Sequence, residues 1–76
     1  MKIQDRKNSS CAIVGIDKNT RPFLLGQLSI ARQALAESDP TINTKLEIHY
    51  VNYDLVFPNV DSSGLRSILD QIGIFL

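Results

Sequence analysis

Residues 46–61, LEIHYVNYDLVFPNVD, constrain the fold more than any other stretch, because their apolar alternation changes phase part-way along. Leu46, Ile48 and Tyr50 point one way and Lys45, Glu47 and His49 the other, as a half-buried strand requires. After Tyr50 the apolar set becomes Val51, Tyr53, Leu55 and Phe57. A straight strand cannot make that change without turning an oily face to water, since side chains alternate strictly. Either a bulge shifts the register or Asn52-Tyr53-Asp54 is a tight turn. The turn is favoured, because Asn and Asp side chains stabilise turns themselves. Strands near Leu46–Val51 and Asp54–Phe57 are therefore expected, joined at residues 52–54.

The segments on either side supply the partners. Met1–Ser10 is polar and reads as a flexible N-terminal arm, with residues 11–76 forming a single α/β domain. Cys11–Ile16, CAIVGI, is apolar on both faces and suits a central strand, with Gly15 marking a bulge or the close approach of a helix. Asn19 or Thr20 can cap the helix that follows, and Pro22 fits its first turn. Leu24, Leu28, Ala31 and Leu35 recur at helical spacing, and Phe23, Ile30 and Ala34 widen the apolar stripe. Gln27, Arg32, Gln33 and Glu37 are left for the wet side, and Gly26 is read as a close-packing position. Ser38-Asp39-Pro40 ends this helix, and residues 41–44 form a loop. Asp61 caps a last helix carrying Leu65, Ile68, Leu69 and Ile72, with Gly73 as its C-cap. Ile74-Phe75-Leu76 stays exposed unless it folds back.

The expected order is β-α-β-β-α: an α+β two-layer sandwich, with a three-stranded sheet and two helices on one face. The other sheet face is then uncovered and partly apolar, which reads as an interaction surface. Seventy-six residues make one domain near the lower limit for folding alone. Cys11 is the only cysteine, so no intrachain disulfide reinforces it, and a buried strand position is its expected role. Val14, Val51, Tyr53 and the tail cannot all be buried inside so small a core. A chain that associates with a partner or with itself, as a homodimer, is expected.

Eight basic and eight acidic residues are scattered along the sequence and cancel, which argues against a direct nucleic-acid or anionic-membrane footprint. No apolar run is long enough to span a bilayer, and the cytoplasm is the expected location. One Cys and one His do not make a standard metal set. Asp17, Asp54 and Asp61 are better read as loop, turn and cap residues than as ligands. His49 beside Glu47 reads as a solvated strand surface. No phosphate-binding loop, dinucleotide fingerprint or carboxylate pair is present, so no cofactor and no catalysis are expected. The anchors of a docking surface are expected to be Val14, Val51, Tyr53, Phe57 and Phe75.

Two segments resemble known families. LLGQLSIARQAL (Leu24–Leu35), leading through a Pro-containing loop to LEIHY (Leu46–Tyr50), then Leu55-Val56-Phe57 and the helix around Leu65–Ile72, resembles the DinI family. Those small damage-inducible proteins modulate the RecA filament, and the resemblance implies a β-α-β-β-α fold and a regulatory partner. Their terminal helix is strongly acidic, whereas here it offers only Asp61 and Asp70, with Arg66 between. VDSSGLRSIL (Val60–Leu69) resembles the phosphorylation segment of STAS domains, the anti-sigma-factor antagonists. That resemblance implies Ser62 as a phospho-acceptor, at a helix N-terminus that favours anions. STAS domains continue with a further strand and helix that this sequence does not include. The overall expectation is a small non-catalytic regulator acting by surface docking.

Overall fold

The computed structural model describes residues 1–75. Its elements run β1 (Lys2–Arg6), β2 (Ser10–Val14), α1 (Arg21–Ala36), α2 (Ile42–Lys45), β3 (His49–Val51), β4 (Asp54–Phe57) and α3 (Ser62–Gln71). The class is α+β, as expected, but among the described residues the sheet has four strands rather than three and there are three helices rather than two. All strand pairs are antiparallel, in the order β1-β2-β4-β3.

The extra strand is the segment read as a loose arm. Lys2–Arg6 pairs along its whole length with β2, Ile3 opposite Ile13 and Asp5 opposite Cys11. Three loop residues join the two strands, and Asn8 and Ser9 take positive φ there. The Ser10 hydroxyl donates to the Lys7 carbonyl at 2.6 Å and closes the turn. Asn tolerates this left-handed backbone better than most residues. With Ile3 as its one aliphatic residue, β1 lacks the alternation that identifies a strand from sequence.

The Leu46–Phe57 hairpin forms, and the two-strand reading holds. Tyr50 faces Leu55, Val51 faces Asp54, and Asn52 takes φ 58° in the turn. The first strand starts at His49 rather than Leu46, because residues 41–46 wind up instead. Asp39 accepts from the Thr41 N–H at 3.1 Å, the chain turns into α2, and Leu46 follows as its C-cap. Ile42 and Leu46 both drop into the core from this short helix.

One layer of side chains unites the fold. Cys11 and Ile13 of β2 lie beside Phe57 and Leu55 of β4 on the inner sheet face, all fully buried. Leu24 and Leu28 from α1 and Leu65, Ile68 and Leu69 from α3 close over them. Gly15, at φ 69°, ends β2 rather than bulging it, and redirects the chain so that Ile16 joins the same core. Asp61 caps α3 as expected, accepting from the Gly64 N–H at 2.7 Å. Gly73 at φ 74° closes it in a Schellman turn, with Ile74 N–H donating to Leu69 O and Gly73 N–H to Asp70 O. This turn folds Ile74 back against the core, while Phe75 remains 79% exposed.

No described helix covers the outer sheet face, yet that face is less apolar than expected. The added strand sets Lys2, Gln4 and Arg6 beside Val14, Ala12 and Ser10. Ala12 and Val56 are buried there without belonging to the main core. The stems of long polar side chains cover small apolar neighbours in this way.

On α1 the expected stripe is too wide. Only Leu24 and Leu28 are fully buried, with Leu25, Ala31 and Leu35 at the margin, whereas Phe23 is 75% and Ile30 72% exposed. Phe23 and Ile30 sit roughly a third of a turn round from the buried pair, beyond the reach of a core this small. Gly26 is not a close-packing position within the chain either, since nothing lies within 4 Å of where its Cβ would be. Replacing it in a helix interior therefore removes only its conformational cost. Gly26→Ala is expected to stabilise the dilute protein by about 1 kcal/mol in denaturant unfolding. Phe57→Ala empties the centre of the core and is expected to cost about 3–5 kcal/mol, enough to unfold most of a domain this small.

Candidate interaction surface

The sheet has two edges, and they differ in chemistry. An edge strand offers unpaired backbone groups to any extended chain that approaches. At one edge β1 carries Lys2, Asp5 and Arg6, the charged residues that discourage such pairing. Asp5 is also tied down, because its carboxylate accepts the Ser62 N–H at 3.0 Å, joining β1 to the start of α3. At the other edge β3 is only three residues long, all exposed. There Tyr50 is 65% exposed on the inner side, and Val51 is exposed on the outer side.

The turn beyond β3 adds Tyr53, 71% exposed, with the Arg21 guanidinium 5.2 Å from its ring centre. A cation over an aromatic face is an attractive arrangement, and it steadies the ring against the first turn of α1. The Arg21 Nε is buried without a hydrogen-bond acceptor among the described residues. On the inner side a groove of about 410 Å³ runs between α1 and the approach to β3. Leu25, Gly26, Leu28, Ser29, Arg32, Leu46, Ile48 and Tyr50 line it. The edge strand with Tyr50, the turn with Tyr53 and the groove that Tyr50 lines lie together at this end of the sheet.

The expected anchors fall into three groups. Val51 and Tyr53 lie together on this surface. Val14, half-buried at the end of β2, lies on the outer sheet face beside Lys2, and Phe75 projects from the C-terminal tail. Phe57 is no anchor at all: it pairs with Cys11 and is sealed in the core. Tyr50 was missing from the expected set, because its alternation with Leu46 and Ile48 pointed inward. It does lie on the inner face, but on the outermost strand, where neither α1 nor α3 reaches far enough to cover it.

The remaining polar candidates sort by their surroundings. The His49 Nε2 lies 2.9 Å from the Glu47 carboxylate, both well exposed. Cys11 is sealed in the core, and burial pushes its thiol up to about 11, with Asp5 and Asp61 adding to the effect. That thiol stays protonated and unreactive. Asp17 caps a turn into α1 through its carbonyl, Asp54 opens β4 and Asp61 caps α3. Among the described residues no three His, Cys, Asp or Glu side chains gather in a metal-binding group. No described helix is long and apolar enough to cross a membrane. Ser62 opens α3, half-buried, with its backbone N–H donating to Asp5.

Compared with known proteins, the chain matches no family model, no curated protein and no solved structure.

The Asp5–Ser62 contact has a pH signature. The Ser62 hydroxyl, and after it the Ser62 N–H, hold the Asp5 carboxyl below its ordinary value of 3.8. A carboxyl lowered on folding stabilises the native state above its unfolded pKa, and loses that contribution as pH falls through the folded one. Asp5→Asn is therefore expected to melt below the parent at neutral pH. The gap should close as pH drops beneath 3.8. Paired thermal melts across that range measure it, and a gap independent of pH would remove Asp5 as a charged tether.

Proposed function

We propose that this chain is a small non-catalytic regulator that docks an extended segment of a partner protein onto the β3 edge. The observation that carries this reading is the asymmetry of the two sheet edges. One edge is charged and tethered to α3, while the other displays Tyr50, Val51 and Tyr53 beside a groove. Strand addition supplies main-chain hydrogen bonds for affinity, and side chains on alternate sides supply selectivity. A partner residue on the inner side would meet Tyr50 and the groove, and one on the outer side would meet Val51. Aromatic residues steadied by a neighbour lose little entropy on binding, which suits Tyr53 to an anchoring role. Val14 and Phe75 would lie outside the contact.

The resemblance to the DinI family supports the same class of function, with a DNA-repair protein as the regulated partner. No footprint on the nucleic acid itself is proposed, given the balanced charge. The cytoplasm is the proposed location. The STAS-like alternative rests on one observation, the placement of Ser62 at the start of α3 against Asp5. A phosphate on Ser62 would face the Asp5 and Asp61 carboxylates and push β1 away from α3 by like-charge repulsion.

Cross-linking in the native host followed by competition with single variants tests both readings. Val51→Lys and Tyr50→Ser are expected to keep the fold, since both positions are exposed, and to weaken capture by about tenfold or more. Ser62→Asp is expected to leave capture at the β3 edge unchanged. Undiminished binding by both β3 variants would reject the edge-strand reading, and loss confined to Ser62→Asp would transfer the function to the α3 N-terminus.

A further inference from the structure

The outward side of α1 is built like a contact and not like a solvated surface. Between Arg21 and Glu37 it presents Pro22, Phe23, Gly26, Ile30, Gln33 and Ala34, and no charge. Phe23 and Ile30 are the large exposed apolar groups of this helix. Gly26, one turn before Ile30, sits over open space within its own chain. A glycine that no neighbour requires, in the middle of a helix, marks a place where another backbone or side chain can approach closely. Beside this face a groove of about 400 Å³ opens between α1 and the end of α3, lined by Ile30, Ala31, Ala34, Leu35, Ile72 and Ile74.

The ends of α1 are electrostatically unfinished. Its first turn has no acidic residue and its last turn no basic one. Thr20 makes no side-chain cap, its hydroxyl turning to Asp17 instead. Glu37, an acid, sits at the C-terminal end, where the helix dipole already concentrates negative charge.

We infer that two copies of this chain associate through α1, packed antiparallel about a two-fold axis, with Ile30 of each copy seated over Gly26 of the other. The register follows from size. With Ile30 opposite Gly26 in both directions, Phe23 of each copy falls beside Ala34 of the other, at the mouth of the α1–α3 groove. Large groups thus meet small ones twice over, as an isologous contact requires. The same register brings Glu37 of each copy to the N-terminal turn of the other's α1, next to Lys18. The acid at the end of each helix then meets the N-terminal end of the other, where Lys18 and Arg21 outnumber the Asp17 carboxylate. Between its ends this face offers a charged partner nothing to pair with, whereas a second copy matches its shape and brings Glu37 to Lys18 at each end.

The contact is small. Two helices about 24 Å long bury on the order of 1,000 Å² between them, at the low end for specific association. The dimer is accordingly weak and concentration-dependent. It leaves the β3 backbone free, but Gly26 also lines the groove beside Tyr50, so Val51→Lys, on the outer sheet face, is the variant that separates partner capture from dimerisation.

Sedimentation equilibrium on the full chain, from low micromolar to hundreds of micromolar, tests the proposal. The parent is expected to shift from monomer to dimer across this range. Gly26→Leu fills the seat of Ile30 while improving the helix, and Glu37→Lys reverses the end-to-end attraction. Each should raise the dissociation constant about tenfold or more. Thermal melts of Gly26→Leu at the lowest concentration should be no lower than those of the parent, which separates a lost contact from a lost fold. A parent that stays monomeric throughout overturns the proposal. So does a Gly26→Leu variant that dimerises as well as the parent, and a Tyr50→Ser sample would then show whether the β3 edge is the true contact.

Discussion

The pairing of β2 with β4 at the centre of the sheet is the interaction on which the rest of the structure depends. It sets Cys11 beside Phe57 and Ile13 beside Leu55, making a continuous apolar floor from two segments far apart in the chain. Each helix has a place only because that floor exists. Leu24 and Leu28 hold α1 to it, and Leu65 and Leu69 hold α3. With its one cysteine unpaired and no metal-binding group among the described residues, burial of this single layer supplies most of the stabilisation. A large apolar side chain fully removed from water contributes about 1.5–3 kcal/mol, so the loss of one is felt across a domain of this size.

Around that centre each local device serves to bring the chain back to the same layer. The β1–β2 turn, the Asp61 cap and the Gly73 Schellman closure each settle backbone groups that would otherwise be unpaired. Asn59 links the loop after β4 to the end of α2, donating from its side chain to the Thr44 carbonyl at 3.0 Å. The Asp5–Ser62 contact does the same across the fold, fastening an edge strand with little apolar content to the dipole end of a helix. Charge does here what a second apolar residue does in a longer strand.

What the core cannot accommodate is left at the periphery, and its distribution is uneven. Tyr50, Val51 and Tyr53 gather at one sheet edge, while Phe23 and Ile30 share the outward side of α1. Scattered singly, exposed apolar groups are ordinary on a small protein. Two groups of them, one next to open backbone and one next to an unexplained glycine, are the features through which the proposed contacts would be made.

Local chemistry written in the sequence determined several elements on its own. The phase change at Tyr50–Val51 required two strands with a turn at Asn52, because side-chain alternation admits no other solution short of a bulge. The cap at Asp61, the end of α3 at Gly73 and the course of α1 followed from residues that act within a turn or two of themselves. The α+β class followed from the order of those elements, and Val51 and Tyr53 were legible as docking candidates because so small a core, with one sheet face uncovered, cannot bury every apolar residue. Tertiary structure decided what depends on distant partners. Lys2–Arg6 is a strand only because β2 lies alongside, and Residues 41–46 form α2 and its cap where the chain must drop Ile42 and Leu46 into a core made elsewhere. Phe57 and Tyr50 carry similar apolar patterns, yet one is sealed and the other exposed, because β4 is central and β3 lies at the edge. Strand order is a property of the assembled sheet. No local periodicity records it, and it alone fixes which apolar residues remain available to a partner.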